Sequence, residues 1–304
     1  MSNQLKGIIY ASITAFFWGF LAIALKVSTQ EFSVVLIVWF RFTFAFIVLF
    51  LFFLKTKPQK LKILLKPPLL LIIAALALAL NYFGYTTGVQ YTSPNTAQVV
   101  IQFGPILLGV VGVVFFKESI NWLQASGFGV AFIGLTLFYF NQVSAIIDSE
   151  IEVFNTGFIW IIIAAIGWLT YASLQKVLVK KYDAQMLNLV IFGLPAILYT
   201  PFISASDFQN LNISSWSLLI FLGANTIIAY GSLAMAFKYT DVNKVSVIIT
   251  LNPIITFITM SILFQLQVKW IETQKMGLET WSGALLVITG ALMVVYFKKK
   301  PKET

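Results

Sequence analysis

The chain has 304 residues, 59% hydrophobic and 10% charged, with a mean hydropathy of +0.91. Soluble domains average roughly 45–50% apolar and about 25% charged residues, so an ordinary soluble domain is excluded. The 29 Phe, 11 Tyr and 8 Trp exclude a disordered or low-complexity chain. Cys and His are both absent, which removes disulfides, thiolate nucleophiles, Cys/His metal sites and imidazole bases, and no cofactor is implied. The net charge of +9 invites a nucleic-acid partner, but the distribution of that charge fits membrane orientation instead.

A helix crossing a bilayer needs about 20 apolar residues. Apolar runs broken by charges and turn residues predict ten spans, at 7–27, 33–54, 68–89, 95–116, 121–140, 157–179, 186–203, 215–237, 242–266 and 279–297. The first span carries Ala22-Ile23-Ala24, which resembles a signal-peptide cleavage site. Its apolar stretch exceeds an h-region of about 7–15 residues, so it is read as retained.

With the N-terminus inside, the cytoplasmic side holds 16 of the 20 basic residues. Among them are Lys6, the cluster Lys55, Lys57, Lys60, Lys62 and Lys66, then Lys117, Lys176, Lys180, Lys181, Lys238 and Lys244. The tail adds Lys298, Lys299, Lys300 and Lys302. Lys26, Lys269 and Lys275 fall outside, where the loop 141–156 carries Asp148, Glu150 and Glu152 without a basic residue. An inner-membrane protein with both termini in the cytoplasm is expected.

The two halves repeat. Gly7, Trp18 and Lys26 recur 150 positions later as Gly157, Trp168 and Lys176. Tyr82, Tyr91-Thr92, Asn95 and Pro105 recur 148 positions later as Tyr230, Tyr239-Thr240, Asn243 and Pro253. Gly127 and Gly134 recur as Gly283 and Gly290. Five spans per copy is odd, so the second copy lies upside down relative to the first, with a binding site expected near the midplane between them. The organisation read here is a first repeat at 1–140, an acidic loop at 141–156, a second repeat at 157–297 and a basic tail at 298–304. The fold class is an all-α integral membrane protein, ten helices in two inverted five-helix repeats.

These residues resemble the drug/metabolite transporter superfamily, specifically its bacterial ten-helix EamA-type members. The resemblance rests on Trp18-Gly19, Arg41, Gln90-Tyr91-Thr92 leading into Pro105, Glu118 with Gln124 and Gly127, and Lys238-Tyr239-Thr240 leading into Pro253. Glu118 faces only the Phe264-Gln265-Leu266 region in the second copy, so a symmetric acidic pair is absent. The resemblance implies export or exchange of small metabolites, often amino acids, by alternating access.

In the fourth span Asn95, Gln98, Gln102 and Pro105 share one helical face, and the ninth repeats the spacing with Asn243, Ser246, Thr250 and Pro253. Such polar faces are poor lipid neighbours and should look inward. Ser93 and Asp241 are candidate N-caps, with Pro94 suited to the first helical position. Pro105 and Pro253 cannot donate to the carbonyls of Ile101 and Ile249, which suggests paired hinges.

Asn81, Tyr82, Tyr85, Asn225, Tyr230, Trp18, Trp168 and Tyr171 complete the candidate substrate site, together with Asn252 beside Pro253. For Trp18 and Trp168, core packing and ligand contact are both open. Arg41, the only arginine, lies about 12 Å deep, where insertion costs up to about 2.5–3.5 kcal/mol. It could bind a substrate carboxylate, although a structural role is favoured. Lys26 and Lys176 lie near span ends, where snorkelling is cheap. Gly7, Ala11, Ala15 and Gly19, and separately Gly84 and Gly88, form small-residue stripes that suit packing within one subunit rather than a dimer seam.

The expected function is a secondary transporter of a small polar metabolite, most simply an amino acid, and not an enzyme. Alternatives are a membrane receptor or scaffold, or an intramembrane enzyme, for which no nucleophile–base pair or midmembrane carboxylate pair is present. Coupling to a proton or a counter-substrate stays open, with Glu31 and Glu118 at the membrane borders.

Overall fold

Short polar side chains start the helices and the bilayer's length requirement sets where they stop. In the computed structural model, which describes residues 2–117, 120–143, 151–209, 211–273 and 277–296, Ser2 opens α1 (Asn3–Glu31) by accepting from the Leu5 N–H at 3.3 Å. Ser33 does the same for α2 (Val34–Thr56), through Leu36. A short 3₁₀ segment, Pro58–Leu64, leads to α3 (Leu69–Tyr91). Ser93 caps α4 (Pro94–Val100) through the Thr96 N–H at 3.1 Å, with Pro94 at the first position as the sequence suggests. Then come α5 (Phe103–Val114), α6 (Trp122–Val143), α7 (Ile151–Leu178), α8 (Ala184–Tyr199) and α9 (Ile213–Tyr239). The chain ends in α10 (Val242–Ile249), α11 (Asn252–Gln265) and α12 (Leu278–Tyr296). No strand occurs among the described residues.

Among the described residues, eight helical stretches are long and apolar enough to cross a membrane, counting Pro94–Val114 and Val242–Gln265 as one each, and Trp122–Phe138 is a shorter apolar helix. Two of the eight are interrupted, after Val100 and after Ile249. At the first break the carbonyl that Pro105 cannot serve, that of Ile101, accepts from the Gly104 N–H at 3.0 Å. The backbone therefore tightens locally instead of leaving an acceptor stranded in an apolar setting. Asp241 occupies the N-cap position of α10 but makes no capping bond, because its carboxylate pairs with Lys244 at 3.1 Å.

The packing exchanges partners between the halves. α3 runs along α7 as α9 runs along α1. α5 lies against α10 as α11 lies against α4, and α2 meets α9 as α8 meets α3. α6 and α12 pair with each other, as the twin Gly127/Gly134 and Gly283/Gly290 pattern suggests. A methyl at Gly134 would lie 2.7 Å from the Gly283 carbonyl oxygen, and one at Gly283 would lie 2.9 Å from that of Gly134. The small-residue stripes serve the same end within the subunit, with Gly7 against Thr240 and Gly88 against α7 at the Gly157 carbonyl.

Away from the membrane core, Lys60 bonds Asp183 at 2.9 Å and so ties the α2–α3 connection to the start of α8. Burial pushes the Asp183 carboxyl up, but Lys60 and the amide N–H groups of Met186 and Gln185 outweigh it, and its pKa lies below the ordinary value.

Gly134→Leu should lower thermal stability in detergent by about 1–3 kcal/mol through overpacking. Gly129→Leu, one helical face away with nothing within 4 Å of a Cβ, should leave the melting temperature near that of wild type.

Candidate functional site

The two interrupted spans meet at the centre of the bundle. The Gln102 side chain, in the first break, donates to Asn252 Oδ1 at 2.5 Å and to the Gln98 carbonyl at 3.2 Å. Ser246 on α10 donates to the Pro105 carbonyl, so each interrupted span hydrogen-bonds the other. Both also grip α1, since Gln98 Nε2 donates to the Trp18 carbonyl at 2.6 Å and Thr256 Oγ1 to the Gly19 carbonyl at 2.5 Å.

Beside this junction is a partly open cavity, with about 410 Å³ of empty space when the space at its mouth is included. Its walls are Trp18 and Leu21 from α1, Asn81 and Tyr85 from α3, Gln98 from α4, Ile101 and Gln102 from the break, and Pro105 from α5. The second half adds Trp168, Tyr230 and Asn252. The rings pack against each other, Trp18 on Trp168 edge-on with centroids 5.9 Å apart and Trp18 on Tyr230 at 5.3 Å. Tyr85 donates to Gln98 Oε1 at 2.7 Å, and Tyr230 to Asn81 Oδ1 at a loose 3.4 Å, while Asn81 Nδ2 holds the Ala164 carbonyl at 2.9 Å. Three buried polar atoms in this wall have no partner: Trp18 Nε1, Trp168 Nε1 and Gln102 Oε1. The lining residues therefore carry two unpaired indole N–H donors and one unpaired amide acceptor, and none of them is charged.

Of the positions singled out in the sequence, nine line this space: Trp18, Asn81, Tyr85, Gln98, Gln102, Pro105, Trp168, Tyr230 and Asn252. Others do not. Arg41 is 1% exposed and sits behind Tyr82, its guanidinium 4.1 Å from the centre of that ring and its Nε donating to Thr226 at 3.1 Å. Tyr82 is occupied by this cation on one side and stacks on Phe42 at 4.3 Å. Asn225 is turned away to hold the Phe17 carbonyl at 2.7 Å. Tyr171 packs 5.6 Å from Tyr230, centroid to centroid, outside the wall. Thr250 and Pro253 face a second, mostly apolar void of about 260 Å³ that Val99, Phe138 and Phe257 help to line.

Leu21 and Ile101 were missed, although each follows a singled-out residue, Trp18 and Gln98, at i+3 on the same helical face.

Lys26 and Lys176 have structural employment. Lys26 Nζ donates to the carbonyls of Gln90 and Thr92 at 2.9 and 2.7 Å, at the end of α3. Lys176 Nζ donates to those of Phe237 and Thr240 at 3.0 and 2.6 Å, at the end of α9. Each cation meets the negative end of a helix and carbonyls that lack an intrahelical donor. Glu31 accepts from Ser215 at the start of α9, and Glu118 lies outside the described residues.

Apolar helices of spanning length folded around a cavity that polar and aromatic side chains from both halves line define a multi-pass membrane protein. The sequence profile of the EamA-like transporter family matches residues 5–140 and again 155–296, and the chain belongs to that family, within the drug/metabolite transporter superfamily. It is 30% identical over 293 residues to an uncharacterized transporter of Haemophilus influenzae, covering 96% of this chain and 95% of that one. It is also 30% identical to the uncharacterized inner membrane transporter YhbE of Escherichia coli strain K12, over 94% of this chain and 90% of that one. A solved crystal structure superposes with a TM-score of 0.72 over 96% of this chain and 97% of its own at 17% identity, so the fold is shared. The protein is a membrane transporter.

Arg41 has no carboxylate to pair with among the described residues, and Thr226 keeps a second bond to the Leu222 carbonyl at 2.9 Å. Replacing a buried charge by an apolar chain of similar length is often neutral or stabilising. Arg41→Met should therefore melt at or above the wild-type temperature in detergent, and a fall of several degrees would show that the cation holds the bundle together.

Proposed function

We propose that the chain is a secondary transporter that moves a small polar metabolite, an amino acid or a related compound, by export or exchange. In this reading residues 1–140 and 157–297 are two five-span repeats of opposite orientation, joined by the acidic segment 141–156, whose last six residues already belong to α7. The tail 298–304 and the N-terminus face the cytoplasm, and the two repeats rock about the central cavity. It is not read as an enzyme.

The observation that carries the proposal is the amide pair Gln102–Asn252, which joins the interrupted span of one half to that of the other beside a cavity both halves line. Any movement of one half against the other must part that pair. The unpartnered atoms suit the solute class. Two indole N–H groups can bind carboxylate oxygens, and Gln102 Oε1 can accept from an ammonium group. The rings of Trp18, Trp168 and Tyr230 would face the apolar part. Arg41, one layer behind Tyr82, adds a positive potential without touching the solute. Pro105 and Pro253 would serve as the hinges, because each sits just past a break where backbone bonding is already relaxed.

Purified protein in liposomes, tested against a panel of amino acids and related metabolites, should accelerate the flux of at least one. Gln102→Ala combined with Trp168→Ala should lower that flux by a factor of ten or more, equivalent to about 1.4 kcal/mol of lost binding. Wild-type flux in the double variant would refute the central cavity as the binding site.

A further inference from the structure

Away from the central cavity, three side-chain amides form a chain whose polarity is fixed at one end. The Gly231 carbonyl can only accept, and it takes a hydrogen bond from Gln185 Nε2 at 3.0 Å. Gln185 therefore presents its oxygen to Asn188 Nδ2, at 3.3 Å. Asn188 in turn presents its oxygen to Gln175 Nε2, at a loose 3.5 Å. No amide in this series can be flipped without breaking the one before it. The chain ends on Gln175 Oε1, an acceptor with no partner on a residue that is 0% exposed.

Gln175 lies on the face of α7 that also carries Trp168 and Tyr171, at spacings of three and four. Trp168 lines the central cavity, and the buried Tyr171 hydroxyl likewise has no partner. At the other end, Gln185 is half-buried, two residues from Asp183 and its ion pair with Lys60. Polar side chains thus recur along this face of α7 from Trp168 to Gln175, and the bonded amides continue from Gln175 to Gln185 near the start of α8.

The first half supplies an internal control. Displaced by 150 positions, Tyr171, Gln175, Gln185 and Asn188 correspond to Leu21, Leu25, Val35 and Val38. Leu25 and Val38 are fully buried, so helix packing at these places is achieved with apolar side chains. An unpaired buried acceptor costs about 1–3 kcal/mol, and nothing in the packing calls for it.

We infer that Gln175, with the Tyr171 hydroxyl, is a second binding station for the N–H donor group of a polar solute, an ammonium or a primary amide, between the central cavity and the Lys180 end. The inference rests on the transport reading, but its test reads binding and access without flux. Tyr171 can donate to or accept from the solute, while the unpartnered atom of Gln175 is its acceptor oxygen, so the station favours groups that bring a proton. Its absence from the first half makes the two access routes chemically different: amide-lined toward Lys180, leucine-lined on the opposite side.

The test uses the full-length protein and its natural lack of cysteine. Methylammonium, titrated in a thermal-shift assay at constant ionic strength, should raise the melting temperature by about 2 °C or more at saturation. Tetramethylammonium, with the same charge and no N–H, should not, and Gln175→Leu should abolish the methylammonium shift while itself melting near wild type, since it removes one unpaired acceptor and leaves another on Asn188. In vesicles, Gln175→Cys should react with a membrane-impermeant thiol reagent from the Lys180 side at least ten times faster than Leu25→Cys does. Equal shifts with the two cations, or none, would leave Gln175 as a site for trapped water and overturn the proposal. So would a Gln175→Cys thiol that is unreactive from that side. Absence of flux in the liposome screen, with the shift and labelling intact, would instead count against the transport reading alone.

Discussion

A backbone carbonyl or a side-chain amide inside hydrocarbon must find a donor within the protein, because no water is there to supply one. That requirement acts hardest on the two spans interrupted after Val100 and Ile249. Their loosened backbone is tolerated because the breaks face each other at the bundle's centre. There the Ser246 hydroxyl serves the Pro105 carbonyl, and the Gln102 amide donates to that of Asn252. The α1 backbone is recruited as well, through Gln98 and Thr256. The remainder of the bundle can be understood as the scaffold that brings these two breaks to one place.

In the cavity wall next to them that satisfaction is incomplete, as it is at Tyr171 and Gln175. Both indole N–H groups and the Gln102 oxygen lack partners, in a fold that elsewhere spends threonine hydroxyls on single backbone carbonyls. Unsatisfied buried polar atoms of this kind each cost about 1–3 kcal/mol, which a bound solute can recover. Arg41 shows the opposite solution. Its charge is spread over the Tyr82 ring and one threonine, and it stays behind the wall instead of in it.

Duplication gave the two halves the same skeleton, and different side chains then divided the labour. Lys26 and Lys176 keep the shared role, each binding the carbonyls at the end of the helix that packs beside it. The row at Tyr171 and Gln175 departs from it, because Leu21 and Leu25 fill the same places in the first copy. A pseudo-symmetric fold can therefore carry an asymmetric lining, since packing at these positions is set by volume and either polarity fits the same space.

Among the described residues, the sequence by itself determined most of the helices of spanning length to within a few residues, although α7 begins at Ile151, six residues ahead of the expected 157. α3 occupies Leu69–Tyr91 where apolarity predicts 68–89, and α9 occupies Ile213–Tyr239 where it predicts 215–237. It also located the paired prolines, the Ser93 cap and the glycine contact between α6 and α12. These follow from local quantities: hydrophobic length against a fixed bilayer thickness, and residue types with restricted backbone preferences. Only the tertiary structure decided which polar groups meet. Spacing along one helix placed Thr250 on the face of Ser246, yet Thr250 and Pro253 look into a separate void while Asn252, one residue away, reaches the cavity. It likewise sent Arg41 behind Tyr82 and linked Gln175 to Asn188 and Gln185 across two helices. Periodicity defines a face relative to its own helix, whereas the rotation that aims that face is fixed by neighbours far away in the chain.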